Sequence, residues 1–115
     1  MLRNELPVPY FLYIPRFIFQ NNYALTSLEI RLLCYLLYYV VFIEPNKKEL
    51  NLTNQQLGKI FNLKTKEYIS DALHKLDKCK YIKIKQSGNG INGHIIEIPN
   101  DIILKYQNEI SYKNR

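Results

Sequence analysis

Tryptophan is absent from this sequence, and cysteine, histidine and glycine are scarce. Each shortage removes a class of protein. Cys34 and Cys79 are the only cysteines, lie far apart and form no CxxC pair, so neither a disulfide scaffold nor a thiolate metal module is expected. They read as small core residues of a reducing compartment. His74 and His94 have no Asp, Glu or Cys at ligand spacing, so no metal site is expected. Gly88-Asn89-Gly90 precedes a β-branched stretch where a phosphate-binding glycine loop would open a helix. No nucleophile has a base beside it in sequence, and the expectation is a protein that is not an enzyme and holds no cofactor.

Long apolar runs are missing as well. The longest, Leu32 to Ile43, is well short of the roughly 20 residues that cross a bilayer. The start, Met1 to Pro7, carries a charge of each sign and a proline where a signal peptide needs an unbroken apolar segment. The expected location is the cytoplasm, without a membrane. What the chain has in plenty is hydrophobic residues, at 47%, and basic charge, with a formal net charge of +6. A chain of 115 residues can bury one core and has no room for two, so one domain is expected over 1–115, comprising an arm (1–24), a core (25–98) and a C-terminal helix with a tail (99–115). Between Lys59 and Lys85 eight lysines face three acids, so nearly the whole excess of positive charge lies in one stretch.

That stretch is also the best patterned. Thr53 and Gln56 have capping-box spacing ahead of Leu57, Ile60 and Phe61, which predicts a helix of about two turns ending at Asn62. Thr65 can cap a second helix, with Ile69, Ala72, Leu73 and Leu76 on one side and Glu67, Ser70, Asp71, His74 and Lys78 on the other. Tyr81 to Lys85 alternates with period two, Ser87 to Gly93 cannot continue a strand, and His94 to Ile98 is β-branched again, so a hairpin follows. Upstream, Thr26 and Glu29 form another capping box, and Leu25 with Ile30 have staple spacing, for a helix from about Ser27 to Ile43. Beyond Arg31 this helix is apolar in every direction and must be covered all round. Its cover is either the Pro- and aromatic-rich arm, Pro7 to Phe19, or a second subunit meeting Tyr35, Tyr38, Tyr39 and Phe42. Glu49 to Leu52 reads as a short strand pairing with the hairpin, and Pro99-Asn100-Asp101 opens a last helix from Ile102 to about Ser111, with a frayed tail from Tyr112.

The fold class expected is therefore α+β: helix, strand, helix, helix and β-hairpin, with an N-terminal aromatic arm and a C-terminal helix. That order resembles the winged-helix DNA-binding domains. The entry, Tyr10-Phe11, Ile14-Pro15, then Tyr23, Leu25, Thr26, Arg31, Leu32, Leu33 and Tyr35, resembles the amino-terminal domains of plasmid and phage replication initiators and replisome organisers. The likeness covers roughly Tyr10 to Ile98 and rests on apolar patterns. Such initiators continue into a further helical domain, whereas this sequence ends at Arg115. The resemblance implies an accessory protein of a plasmid or phage that binds double-stranded DNA, in replication, partition or conjugative transfer, and the apolar surface of the Ser27 to Ile43 helix and the arm leads to the expectation of a homodimer. The alternatives are a winged-helix transcriptional regulator and an interaction module for other replication or transfer proteins.

The resemblance also implies where DNA is met. The second helix of the helix-turn-helix would present Lys64, Thr65, Lys66, Ser70 and Lys75, and the wing Lys83, Lys85, Asn89 and Asn92. Asn89 and Asn92 equally suit ordinary turn chemistry. Glu67 and Asp71 would face phosphates unless each pairs with a lysine or reads a cytosine. Lys83 and Lys85 stand together with no acid between them, so the hairpin is expected to carry more of the affinity than deep insertion of the helix.

Overall fold

Six consecutive side chains, Leu32 to Leu37, are fully buried, and they lie at the centre of the fold. The computed structural model describes residues 12–20, 24–47, 49–61, 67–88 and 93–113. The central helix α1 (Ser27–Tyr38) begins as expected: Thr26 Oγ1 accepts from the Glu29 N–H at 3.2 Å, and Glu29 Oε1 accepts from the Thr26 N–H at 2.8 Å. At Tyr39–Ile43 the helix widens into a π-turn, closed by the Glu44 N–H on the Tyr39 carbonyl. The apolar segment thus has its expected length, but its last turn leaves Phe42 54% exposed.

Strand β1 (Glu49–Leu52) follows, with a clean exposed-buried alternation. Helix α2 (Asn54–Phe61) opens on the second capping box, Thr53 with Gln56, in which each backbone N–H bonds the other's side chain at 2.9 and 3.0 Å. Helix α3 (Glu67–Lys78) packs on α1 and α2 through Ile69, Ala72, Leu73 and Leu76, all buried. Strands β2 (Lys83–Gln86) and β3 (His94–Glu97) form the hairpin. β3 lies in the middle of an antiparallel sheet of order β1-β3-β2, with Leu50, Ile96 and Ile84 in register on the core side. Helix α4 (Asn100–Lys113) closes the chain, longer at both ends than its apolar pattern predicted. Four α-helices and a three-stranded antiparallel sheet make this an α+β structure, in an element order consistent with a winged-helix topology. No described helix is long and apolar enough to cross a membrane.

The junction between α3 and β2 departs from the sequence pattern. Tyr81 and Ile82, expected in the strand, precede it, because the Tyr81 N–H bonds the Leu76 carbonyl at 3.0 Å and the Lys80 N–H bonds the Asp77 carbonyl at 2.9 Å. This pair of bonds is a Schellman closure, and buried Tyr81 and Leu76 supply its apolar contact. The residue in the left-handed region is Lys80, at φ 67°, where glycine is usual. Gly93, just ahead of β3, is needed for a different reason. A Cβ there would run into the Asn51 carboxamide and the Leu52 backbone nitrogen.

Both covers for α1 were open in the sequence, and the arm supplies one. Phe17 and Ile18, in a 3-10 turn (Arg16–Phe19), are buried in the same core as α1, with Leu12 and Tyr13 packed beside them. Pro15, ahead of the turn, offers it no side-chain cap. Glu109 of α4 does this work from far along the chain. Its carboxylate accepts from the Arg16 N–H at 2.7 Å, the Phe17 N–H at 3.1 Å and the Tyr13 hydroxyl at 3.0 Å. Burial and the neighbouring Glu109 carboxylate push the Tyr13 phenol upward, while its ring meets Tyr106 edge-on at 6.2 Å.

Tyr35, expected at a subunit interface, is fully enclosed by the chain's own residues, so that assignment is corrected. Its ring touches those of Tyr38, Tyr39 and Phe61, and burial raises its phenol further than that of Tyr39, which stands at about 12. Cys34 and Cys79 are free and buried, the Cys34 thiol being pushed up to about 12 by desolvation, as befits inert core residues.

Two stability predictions follow from these contacts. Glu109→Ala removes three charge-assisted bonds and leaves two amides of the 3-10 turn without this acceptor, so chemical denaturation should show a loss of about 2 kcal/mol. Lys80→Gly relieves the left-handed strain and should raise stability by up to about 1 kcal/mol, the gain limited by glycine's greater chain entropy.

Candidate nucleic-acid interface

Helix α3 and the hairpin lie side by side and are tied together. The Asp77 carboxylate accepts from the Ile84 N–H at 3.4 Å, and the Ser87 hydroxyl lies 3.5 Å from His74 Nε2. The helix repeat turns Ile69, Leu73 and Leu76 to the core, which leaves Tyr68, Asp71, His74 and Lys78 exposed and Ser70 and Lys75 half-buried. Of the residues expected to meet DNA, Ser70 and Lys75 therefore belong to α3, and Lys83 and Lys85 to β2. Lys64, Thr65, Lys66, Asn89 and Asn92 lie outside the described residues.

The hairpin lysines are not equivalent. Lys83 is exposed and forms no ion pair among the described residues, whereas Lys85 Nζ lies 3.1 Å from Glu49 Oε2 and 3.9 Å from Glu97 Oε1. The Lys85 ammonium is held upward by its bond to Glu49 and by both carboxylates. Register explains the pairing. Glu49 and Lys83 both align with Glu97, so both acids lie on the face of the sheet that the hairpin lysines share. A bulge between Ile84 and Gln86 sets Lys85 over the acids. No acid lies between Lys83 and Lys85, as the sequence shows, yet Lys85 is paired. The acids come from the neighbouring strands rather than from the space between the lysines.

Several basic residues outside the expected set also reach solvent beside these elements. Lys59 on α2, Lys78 on α3 and Lys80 at the Schellman turn are exposed. Lys80 belongs to the basic stretch, but nothing in its local sequence marks its place at a left-handed turn. Tyr68 is 61% exposed at the start of α3, a large aromatic surface among polar neighbours.

Beneath this surface sits a buried polar contact. His94, the first residue of β3, is completely enclosed. Its Nδ1 accepts from the Gly88 N–H at 2.9 Å, so the ring proton resides on Nε2, which donates to Asn54 Oδ1 at 2.5 Å. Asn54 is itself buried at the start of α2, and among the described residues no buried side-chain polar atom lacks a partner. Desolvation, with a smaller contribution from the charge of His74, pulls the His94 imidazole below its ordinary value and keeps it neutral.

Chemically, the arrangement offers cationic contacts, one exposed aromatic and hydroxyl and imidazole groups. No cluster of three or more potential metal ligands occurs among the described residues. Compared with known proteins, the chain matches no family model, no curated protein and no solved structure at a significant level.

Proposed function

We propose that this chain is a winged-helix protein that binds double-stranded DNA without catalysing a reaction, as an accessory factor of a plasmid or phage in replication initiation, partition or conjugative transfer. The observation that carries the reading is the placement of α3 beside the hairpin within an α1-β1-α2-α3-β2-β3 order, with Lys75, Lys78, Lys80 and Lys83 on or next to those two elements. In a winged helix the second helix of the helix-turn-helix enters the major groove and the wing rides on the adjoining backbone. Here α3 takes the first part and the β2-β3 hairpin the second. The resemblance to initiator amino-terminal domains supplies the plasmid or phage context.

The ion pairs of Lys85 shift the balance between the two elements. Lys83 is the hairpin's available cation, and Lys75, Lys78 and Lys80 give α3 and its end at least an equal share. With about six lysine-phosphate contacts, log K against log salt should fall with a slope of about −5 on any duplex, measured by fluorescence anisotropy. A flat profile would remove DNA from the account. The double variant Glu49→Gln, Glu97→Gln frees Lys85 and removes two negative charges, so it should bind more tightly and steepen the slope by about 1. An unchanged slope would show that Lys85 stays away from phosphate.

A second reading, a protein-interaction module, is favoured by the apolar groups the fold leaves outside. Phe42, Ile43, Tyr68, Phe19 and Leu104 are all exposed, and Tyr38, Tyr39 and Phe42 continue the aromatic cluster from Tyr35 to the surface. The homodimer proposed here uses Tyr38, Tyr39 and Phe42. Sedimentation at micromolar concentrations should then show self-association that Phe42→Ser weakens at least tenfold, which is about 1.4 kcal/mol at the interface. A monomer throughout would leave that face for another replication or transfer protein.

A further inference from the structure

We propose that His94 is an acid-sensitive latch that fixes the exit of β2 to the start of α2, and that its protonation releases Gly88. The inference goes beyond the DNA-binding reading and holds whether or not the chain meets nucleic acid. It rests on which groups can reverse their hydrogen-bonding roles and which cannot.

Two imidazoles reach consecutive residues at the end of β2. His74, on α3, has Nδ1 2.8 Å from the Ser70 carbonyl. A carbonyl only accepts, so Nδ1 carries a proton and, in the neutral ring, Nε2 accepts from the Ser87 hydroxyl. When His74 gains a proton, that hydroxyl can rotate and accept instead, so this tether exists in both charge states. Gly88 has no such freedom. Its backbone N–H is a donor only, and its partner is Nδ1 of His94. A proton on Nδ1 sets donor against donor and breaks the bond. The other nitrogen is already committed to Asn54 Oδ1, so the ring cannot offer a substitute acceptor.

The surroundings make the latch responsive to one variable. From α2 the ring meets the uncharged Asn54, and across the β1 pairing it faces Leu52. Lys83, Lys85, Glu49 and Glu97 belong to the opposite face of the sheet, where they compensate one another. Asp77 of α3 is turned to the Ile84 amide. Among the described residues His74 is the remaining titratable group acting on the ring, and its charge disfavours a second cation nearby. On the surface of α3, Asp71, Asp77 and Lys78 flank His74 at helical spacing, two acids with one lysine.

The sign follows from the depressed folded-state value. The neutral, bonded form contributes its stability fully above the unfolded imidazole value of about 6.5, and that contribution is lost as pH falls through the lower folded value. The unlatching therefore lies below the ordinary imidazole value, on the acid side of neutrality. Because Gly88 follows β2 by two residues and its N–H bonds His94 Nδ1, the change acts on the exit of that strand.

The test is a pH series from 7.5 to 5.0 on the whole chain by nuclear magnetic resonance, reading the imidazole nitrogen shifts and the amide-exchange protection factor of Gly88. The expected result is Nδ1 of His94 unprotonated at pH 7.5, and a Gly88 protection factor falling by about tenfold toward pH 5.0 while that of Ile96, in the middle of the sheet, changes less. His74→Gln, which removes the neighbouring charge and retains an acceptor, should move the midpoint to higher pH. A proton on His94 Nδ1 at pH 7.5, or a Gly88 protection factor that does not vary with pH, overturns the proposal. So does a fall shared equally by Ile96, since that would be global unfolding. His94→Asn, whose carboxamide oxygen takes the place of Nδ1 without titrating, should abolish the pH dependence where it folds, and the wild-type series decides the matter alone where it does not.

Discussion

A helix that is apolar on every side cannot stand at the edge of a small protein, and much of the fold answers that constraint on α1. Leu32 to Leu37 lose all contact with solvent. At about 2 kcal/mol for each large apolar side chain, their burial is comparable in gross terms with the net stability of an entire domain. α3 covers one flank, and Phe61 at the end of α2 stacks edge-on against Tyr35, with Arg31 above the Phe61 ring at 5.6 Å. The remaining cover comes from the two ends of the chain. The arm brings Phe17 and Ile18, and α4 brings Ile102 and Tyr106.

Cover from the two ends needs something to hold them, and that is Glu109. Its two oxygens satisfy the amides that open the 3-10 turn and the Tyr13 hydroxyl beside it. A carboxylate at the start of a helical turn is ordinary capping chemistry, supplied here from more than ninety residues away. Hydrophobic burial draws Phe17 and Ile18 into the core, Phe17 beside Tyr81, while the charge-assisted bonds to Glu109 fix where the arm lies. The direction is thus specific even though the arm's prolines deny it a regular hydrogen-bonded ladder.

Local signals in the sequence were sufficient wherever both partners sit within one turn. The capping boxes Thr26-Glu29 and Thr53-Gln56 form as spaced, and the alternation of Glu49 to Leu52 yields the strand that pairs with the hairpin. Illegible features depend on residues distant in sequence or on backbone signs that side chains do not announce. Lys80 takes a left-handed conformation without being glycine, and so delays β2 until Lys83. Glu109 looks like any exposed helical acid until the arm arrives. Tyr35 looked like interface because helical periodicity cannot say whether an apolar face is covered from inside or outside. Of the expected site, Ser70, Lys75, Lys83 and Lys85 fall on two adjoining elements, and the outward position of Lys83 and Lys85 was legible from period-two alternation.

The pairing of Lys85 is informative because reading a strand singly cannot show it. Along Lys83 to Gln86 no acid intervenes, yet a sheet is a surface whose neighbours are set by register. Once β1 was expected to pair with the hairpin, Glu49 had to fall on one face or the other, and the same alternation that buries Leu50 and Leu52 puts Glu49 outside. Exposed pairs of this kind contribute little stability, on the order of 0 to 1 kcal/mol. Their larger effect is on the field. A lysine already 3.1 Å from a carboxylate presents a dipole rather than a monopole to a distant polyanion, so the edge of the sheet is electrostatically quieter than its lysine count implies. Among the described residues the positive charge then concentrates where lysines have no such partner, on Lys83, on Lys75 and Lys78 of α3, and at Lys80 between them. A ligand steered by that field would meet α3 and the start of β2 first, where the exit of the strand is anchored by the Gly88 N–H on His94.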